Sequence, residues 1–305
     1  LVPMHEEAAA RSGKAPFFLV AGMFGNVLNL RHLAQLVGSD RPFYGLQARG
    51  LYGDARPHET FEEMARDYLA ELRQVQPRGP YFLGGFSGGG ITAYEMARQL
   101  AAEGEEVPLI VLLDTPLPSD RPLDLRERLL IQRQRLARRG PRYLIDWWQG
   151  RRAHAATLAA RAAAAAGAGE GTTGPDPARV IEAAFYRACE RYTVEPTAFR
   201  LALFRPKLRV EHQLGPGRAI NEHRRRIYHD NGWAPFVAGI QVFEVPGDHD
   251  GMVLEPNVRV LALKLRGCLE VAETAARAGA ASRGAAVSRS GAEAPSATVE
   301  AEVSP

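Results

Sequence analysis

Short runs that are apolar at every position alternate along the chain with longer stretches whose apolar residues recur every three or four positions. The runs FFLVAG (17–22), PFYGLQA (42–48), PYFLGGF (80–86) and VPLIVLLD (107–114) predict strands buried on both faces, since a half-solvated strand would alternate apolar with polar. The stretches between them predict helices. Leu30, Leu33, Ala34 and Val37 share one face of a short helix that Gly38 ends. Thr60 and Glu63 form a T-x-x-E capping box ahead of a longer helix to Gln76, with Phe61, Met64, Ala65, Tyr68, Leu72 and Val75 on one face. A third helix follows Ser87 and stops at Gly104. Buried strands alternating with amphipathic helices predict an α/β fold, a mostly parallel twisted sheet covered on both faces.

After Asp114 the rhythm changes. Residues 121–142 carry eight arginines among Leu and Ile, and 151–174 are rich in Ala, so this region reads as a helical insertion, with a further helix at about Pro177–Arg191. Strands return with FRLALF (199–204) and IQVFEV (240–245), and a last helix spans about Pro256 to Val271. The tail 272–305 is Ala/Ser/Gly/Glu-rich and is expected to be disordered, because it has too little apolar surface to offset its ordering entropy.

The joint between the third buried run and its helix carries the chemistry. Gly85-Phe86-Ser87-Gly88-Gly89 matches G-x-S-x-G, in which a serine on a sharp turn lifts its hydroxyl above the sheet edge. The glycines leave room for the strand and helix on either side. The same string also suits a structural or phosphate-cradling glycine turn, but no P-loop lysine follows and the spacing is not G-x-G-x-x-G. A serine hydroxyl needs a base, and the base an orienting acid, in the chain order Ser, Asp or Glu, His. Asp114 ends the strand after the helix, at the edge of the sheet where ligands bind; a carboxylate there also suits a turn cap. Of the eight histidines, His249 follows the last strand, in VPGDHDGM. Asp248 and Asp250 flank it and read as solvated turn carboxylates. The expected oxyanion donors are the backbone N–H groups of Gly88 and Met23.

These residues, with PFFLVAGMFGNVLNLRHLA, RPFYGLQARGL, LFRP, NGW and VPGDHDGMVLEP, resemble the thioesterase domains that terminate nonribosomal peptide and polyketide synthases. The resemblance covers about Pro16 to Val271 apart from the middle insertion. It implies an α/β-hydrolase fold over 16–271, a Ser87–His249–Asp114 triad and a helical lid at about 119–195. The implied substrate is an acyl chain held as a thioester on the phosphopantetheine arm of an upstream carrier domain. Residues 1–15 are then expected to be a linker from that carrier. The chain begins at Leu1 rather than Met, which reads as a piece of something longer. Gly88 departs from the larger residue that the family often has there.

Composition adds limits. A formal net charge of +3 is too small to argue for nucleic acid. No apolar run approaches the roughly 20 residues of a membrane span, and nothing at the N-terminus resembles a secretory signal, so a cytoplasmic protein is expected. Cys189 and Cys268 have no metal or disulfide spacing and read as thiols packed in helices. The arginines of the insertion suit either a solvated helix face or an acidic carrier, and Trp147-Trp148 either packing or an acyl pocket. No metal or redox cofactor is expected. The rival functions are a free-standing editing thioesterase, a carboxylesterase or lipase acting on free esters, and a docking module with a dead site.

Overall fold

Among the described residues, seven strands join in one sheet in the order β1-β3-β2-β4-β5-β6-β10. They are β1 (Val2–His5), β2 (Phe17–Val20), β3 (Phe43–Leu46), β4 (Phe82–Phe86), β5 (Leu109–Leu113), β6 (Arg200–Pro206) and β10 (Gly239–Val245). The structure is a computed structural model and describes residues 1–5, 13–38, 41–53, 55–117, 123–140, 176–215, 218–221 and 226–290. Every pair from β3 to β10 is parallel, and β1 alone runs antiparallel, against β3. Alternate residues of each buried run serve opposite layers, which is why the runs need apolar side chains throughout. Phe18, Val20, Leu83, Ile110 and Leu112 pack under α2 (Phe61–Val75) and α3 (Gly89–Ala102). Phe17, Leu19, Phe82, Val111 and Leu113 pack against α1 (Arg31–Val37) and α6 (Val258–Ser290). Register then sets the site: Phe86 pairs with Leu113, and Leu113 with Phe204, so β4 and β5 end level with one another.

Helix ends follow their sequence signals in part. The Thr60 hydroxyl accepts from the Glu63 N–H at 3.2 Å, one of the two bonds of the expected box. Gly38 ends α1 as expected but at φ −82°, so it is not a left-handed cap. Its role is spatial, because a Cβ there would lie 2.9 Å from His5 on the neighbouring β1.

The structure extends the expected folded region at both ends and adds one element that was not expected. Residues 1–15 are not all linker: Val2–His5 pair with β3 and close that edge of the sheet. The tail is helical from 272 to Ser290, as the continuation of α6, since alanine is the best helix former and this stretch is rich in it. Arg41 and Glu273, both buried, form an ion pair there, and Arg41 also donates to the Ala15 carbonyl at 2.7 Å. Residues 291–305 lie outside the described residues. Finally, the region after β6 holds an unexpected antiparallel sheet, β7 (His212–Gly215), β8 (Arg218–Ile220) and β9 (Arg226–Ile227).

The insertion contributes two described helices, α4 (Leu125–Arg139) and α5 (Pro177–Arg191). Ile131 of α4 packs on Leu214 and Ile220 of the small sheet, and Arg226 donates both arms of its guanidinium to Glu127. Residues 141–175, with Trp147 and Trp148, lie outside the described residues. Cys189 on α5 and Cys268 on α6 are half-buried, and burial pushes both thiols up to about 11, which keeps them protonated at neutral pH. Among the described residues there is no metal-ligating cluster and no helix long and apolar enough to cross a membrane.

Candidate active site

Ser87 sits where β4 meets α3, at φ 52°, a left-handed conformation that costs a non-glycine residue energy and is kept by its surroundings. Its N–H donates to the Leu113 carbonyl at 2.8 Å, and its carbonyl accepts from the Thr115 hydroxyl at 2.7 Å. The glycines around it are required by contact. A Cβ on Gly85 would lie 2.2 Å from the Gly89 backbone, and one on Gly89 would lie 2.1 Å from the Ala21 carbonyl oxygen. The turn therefore projects a partly exposed hydroxyl at the C-terminal edge of the sheet.

At this edge the structure brings together three residues far apart in sequence. His249 Nε2 lies 2.9 Å from Ser87 Oγ, and its Nδ1 lies 2.8 Å from Asp114 Oδ2. The imidazole stacks on Phe86 at 5.2 Å between ring centroids. Asp114 follows β5 at φ 48°, its N–H donating to the Phe204 carbonyl at 2.7 Å. Asp248 accepts from the Gly251 N–H at 2.7 Å, so it caps the next turn instead of orienting the imidazole. The hydrogen bond to Asp114 raises the His249 pKa, burial opposes it, and the charges of Asp114, Asp250 and Asp248 add to the rise. A hydroxyl hydrogen-bonded to a ring nitrogen, with a carboxylate on the other nitrogen, can lose its proton to the ring as the oxygen attacks an electrophile.

Met23 lies on the loop after β2. That loop passes close to the elbow, where a Cβ on Gly22 would lie 3.3 Å from the Phe86 ring, and the Gly25 N–H closes a tight turn on the Gly22 carbonyl at 2.8 Å. Among the described residues no backbone carbonyl accepts from the N–H of Met23 or Gly88. Helix α5 lies over this side of the site. Phe185 packs edge-on against Phe61, Arg187 pairs with Glu59 at 2.9 Å, and the Tyr186 hydroxyl approaches Met23 Sδ at 3.9 Å. A Cβ on Gly88 would fall 2.2 Å from the Phe185 ring, so this glycine makes room for the helix above it. Beneath α5 is a cavity of about 20 Å³ bordered by Met23, His58, Met64, Tyr68, Thr92 and Phe185.

Sequence reasoning gave no role to Thr115, Phe86 or Asn231. Asn231 donates to the second oxygen of Asp114 at 3.1 Å. Its signal is the Asn-Gly dipeptide at 231–232, a turn in which asparagine tolerates positive φ. Two other described histidines are occupied elsewhere: His58 bonds Asp67 at 2.6 Å, and His212 bonds Gln134 at 3.0 Å. His154 and His223 lie outside the described residues.

Residues 15–137, which hold β2 to β5 with Ser87 and Asp114, match the family model described as a thioesterase domain. Chondramide synthase cmdD of Chondromyces crocatus is 30% identical over 298 residues, covering 87% of this chain and 7% of that protein. Polyketide synthase PksR of Bacillus subtilis is 41% identical over 120 residues, 39% of this chain and 4% of that one. The chain thus spans a small fraction of the curated relatives it matches. Among solved structures, the NocB thioesterase domain in covalent complex with a fluorophosphonate nocardicin G analog superposes with a TM-score of 0.57. It is 24% identical, with 86% of this chain and 97% of that one covered, a likeness of fold. On these matches residues 15–137 carry a thioesterase-domain sequence, the chain shares the fold of solved thioesterase domains, and its relatives lie among the nonribosomal peptide and polyketide synthases.

Proposed function

We propose that this chain is a chain-releasing thioesterase that takes an acyl group from the phosphopantetheine thioester of a carrier domain by way of an acyl-Ser87 intermediate. The observation that carries the reading is the unbroken line of hydrogen bonds from Ser87 through His249 to Asp114. His249 takes the Ser87 proton as the oxygen attacks the thioester carbonyl, and the N–H groups of Gly88 and Met23 receive the oxyanion. The tetrahedral intermediate collapses, the C–S bond breaks, and the imidazolium returns the proton to the departing thiol. A second nucleophile, water or a hydroxyl or amine of the acyl chain itself, then gives its proton to His249 as it attacks the ester carbonyl. The C–O bond to Ser87 breaks, the imidazolium returns the proton to Ser87 Oγ, and the acyl chain leaves as an acid or a ring. Asp114 holds the imidazole tautomer and stabilises the cation. Every proton and electron pair in this sequence comes from these residues and the substrate, so it calls for no metal or redox cofactor. The carrier is assigned to the same synthase, upstream; the multidomain nature of the relatives supports this.

The test is a comparison of one acyl group loaded on a phosphopantetheinylated carrier with the same acyl group as a simple aryl ester. The expected kcat/KM for the carrier thioester exceeds that for the ester by about tenfold or more, the effect of ~1.4 kcal/mol of added interaction. Equal or faster turnover of the ester would point to a carboxylesterase instead.

The charge around His249 sets the pH response. The free imidazole must be neutral to act as base, so kcat/KM falls as pH drops through the His249 pKa, and that acidic limb lies above the usual value of about 6.5. Asp250→Asn removes one of the raising charges while leaving the Ser87–His249–Asp114 bonds intact. The limb is expected to move to lower pH with the plateau rate unchanged, as read from a pH profile of kcat/KM.

A further inference from the structure

We propose that Asn231 is a positioning residue for the reaction, holding Oδ1 of Asp114 through its side-chain amide so that Oδ2 faces His249. This inference rests on the Ser87–His249–Asp114 reading above. Asn231 lies in the turn between β9 and β10, at φ 51°, and Gly232 follows at φ 89°. The turn is fixed to the segment after β5 from two sides. The Asn231 carbonyl accepts from the Leu117 N–H at 3.0 Å, and the buried Trp233 donates its indole N–H to the Thr115 carbonyl at 2.8 Å. Asp230 fastens the turn internally, accepting from the N–H groups of Gly232 at 3.1 Å and Ala234 at 2.7 Å. Rigid backbone on both sides thus brings the Asn231 Nδ2 to 3.1 Å from Asp114 Oδ1, while Asp114 Oδ2 stands 2.8 Å from His249 Nδ1.

The residue type follows from two requirements at once. The left-handed backbone favours glycine, asparagine or aspartate. Of these, only asparagine presents an N–H from its side chain, and an ionised carboxylate can only accept. Asp114 is itself at positive φ, and its carboxylate is free to turn about its last torsion unless both oxygens are engaged. Glycine would complete the turn equally well. The side chain is therefore placed for the carboxylate, with the turn as its support.

Two variants separate these roles, because both keep the left-handed turn. Asn231→Gly removes the amide alone. Asn231→Asp keeps its shape but replaces the donor by a second carboxylate. With a carrier-loaded acyl thioester at pH 8, kcat is expected to fall about tenfold to a hundredfold in Asn231→Asp, as for a lost hydrogen bond to a charged group, with KM unchanged. Asn231→Gly is expected to fall in the same direction by less. The acidic limb of kcat/KM moves to higher pH in Asn231→Asp, because the added negative charge favours protonated His249. Wild-type kcat and an unmoved limb in both variants would reduce Asn231 to a turn former and overturn the inference. If Asn231→Asp fails to fold, Asn231→Gly decides alone, its wild-type kcat being the contrary result. Ser87→Ala run in parallel keeps the two readings apart. Its retained turnover sinks the triad, whereas a dead Ser87→Ala beside unchanged Asn231 variants sinks only the positioning role.

Discussion

Ser87→Ala is expected to lower turnover of a carrier-bound thioester on the order of 10⁶-fold, the scale seen when a triad nucleophile is deleted. The fold should not confuse the result. Alanine differs by one oxygen, tolerates φ 52° no worse than serine, and keeps the backbone bonds to Leu113 and Thr115. What disappears is the atom that forms the covalent intermediate. Residual catalysis from the oxyanion donors and from binding sets the floor. Labelling by a fluorophosphonate, read as intact mass, should vanish in parallel. Thioester cleavage within tenfold of wild type would mean that the acyl group never resides on Ser87.

Asp114→Asn is expected to cost about 10⁴-fold in kcat while leaving the site's shape intact. The neighbours dictate how the new amide settles. Asn231 offers an N–H to the position of Oδ1, so the carboxamide oxygen turns there and its NH₂ group faces His249 Nδ1. That ring nitrogen must then accept, which moves the imidazole proton to Nε2, opposite Ser87. The base is blocked in the tautomer that cannot take a proton. Measured kcat at pH 8, with the thermal midpoint within a few degrees of wild type, checks the prediction; a loss below tenfold would remove Asp114 from the orienting role.

The parallel core was legible because its central strands, β2 to β5, are apolar at every position, a pattern that half-buried strands do not produce. Once those strands were placed, their order put Ser87, Asp114 and His249 at one sheet edge, and the structure brings the three into a hydrogen-bonded line there. Elements that bury little apolar surface left no such trace. Strands β7 to β9 carry few apolar side chains between arginine and glycine, and β1 sits in a segment that reads as linker. Composition alone also misplaced the end of the fold, since an alanine-rich stretch that reads as disordered in isolation becomes helix when it continues one already packed. The support around Asp114 was hidden for another reason. Thr115 and Asn231 are separated by more than a hundred residues, and only the tertiary structure joins the turn at 231 to the strand end at 114.

Trimming this protein back to Val271, the margin that composition suggests, would strip Arg41 of its anionic neighbour and take away part of the cover over its guanidinium and the Phe82 ring. Losing one partner of a buried pair costs up to about 3–5 kcal/mol where the other charge stays buried, and solvent reaching Arg41 lowers that cost. The practical C-terminus of the folded unit therefore lies beyond Glu273, and the last helix serves as a clasp on the first strands as well as a cover for the sheet.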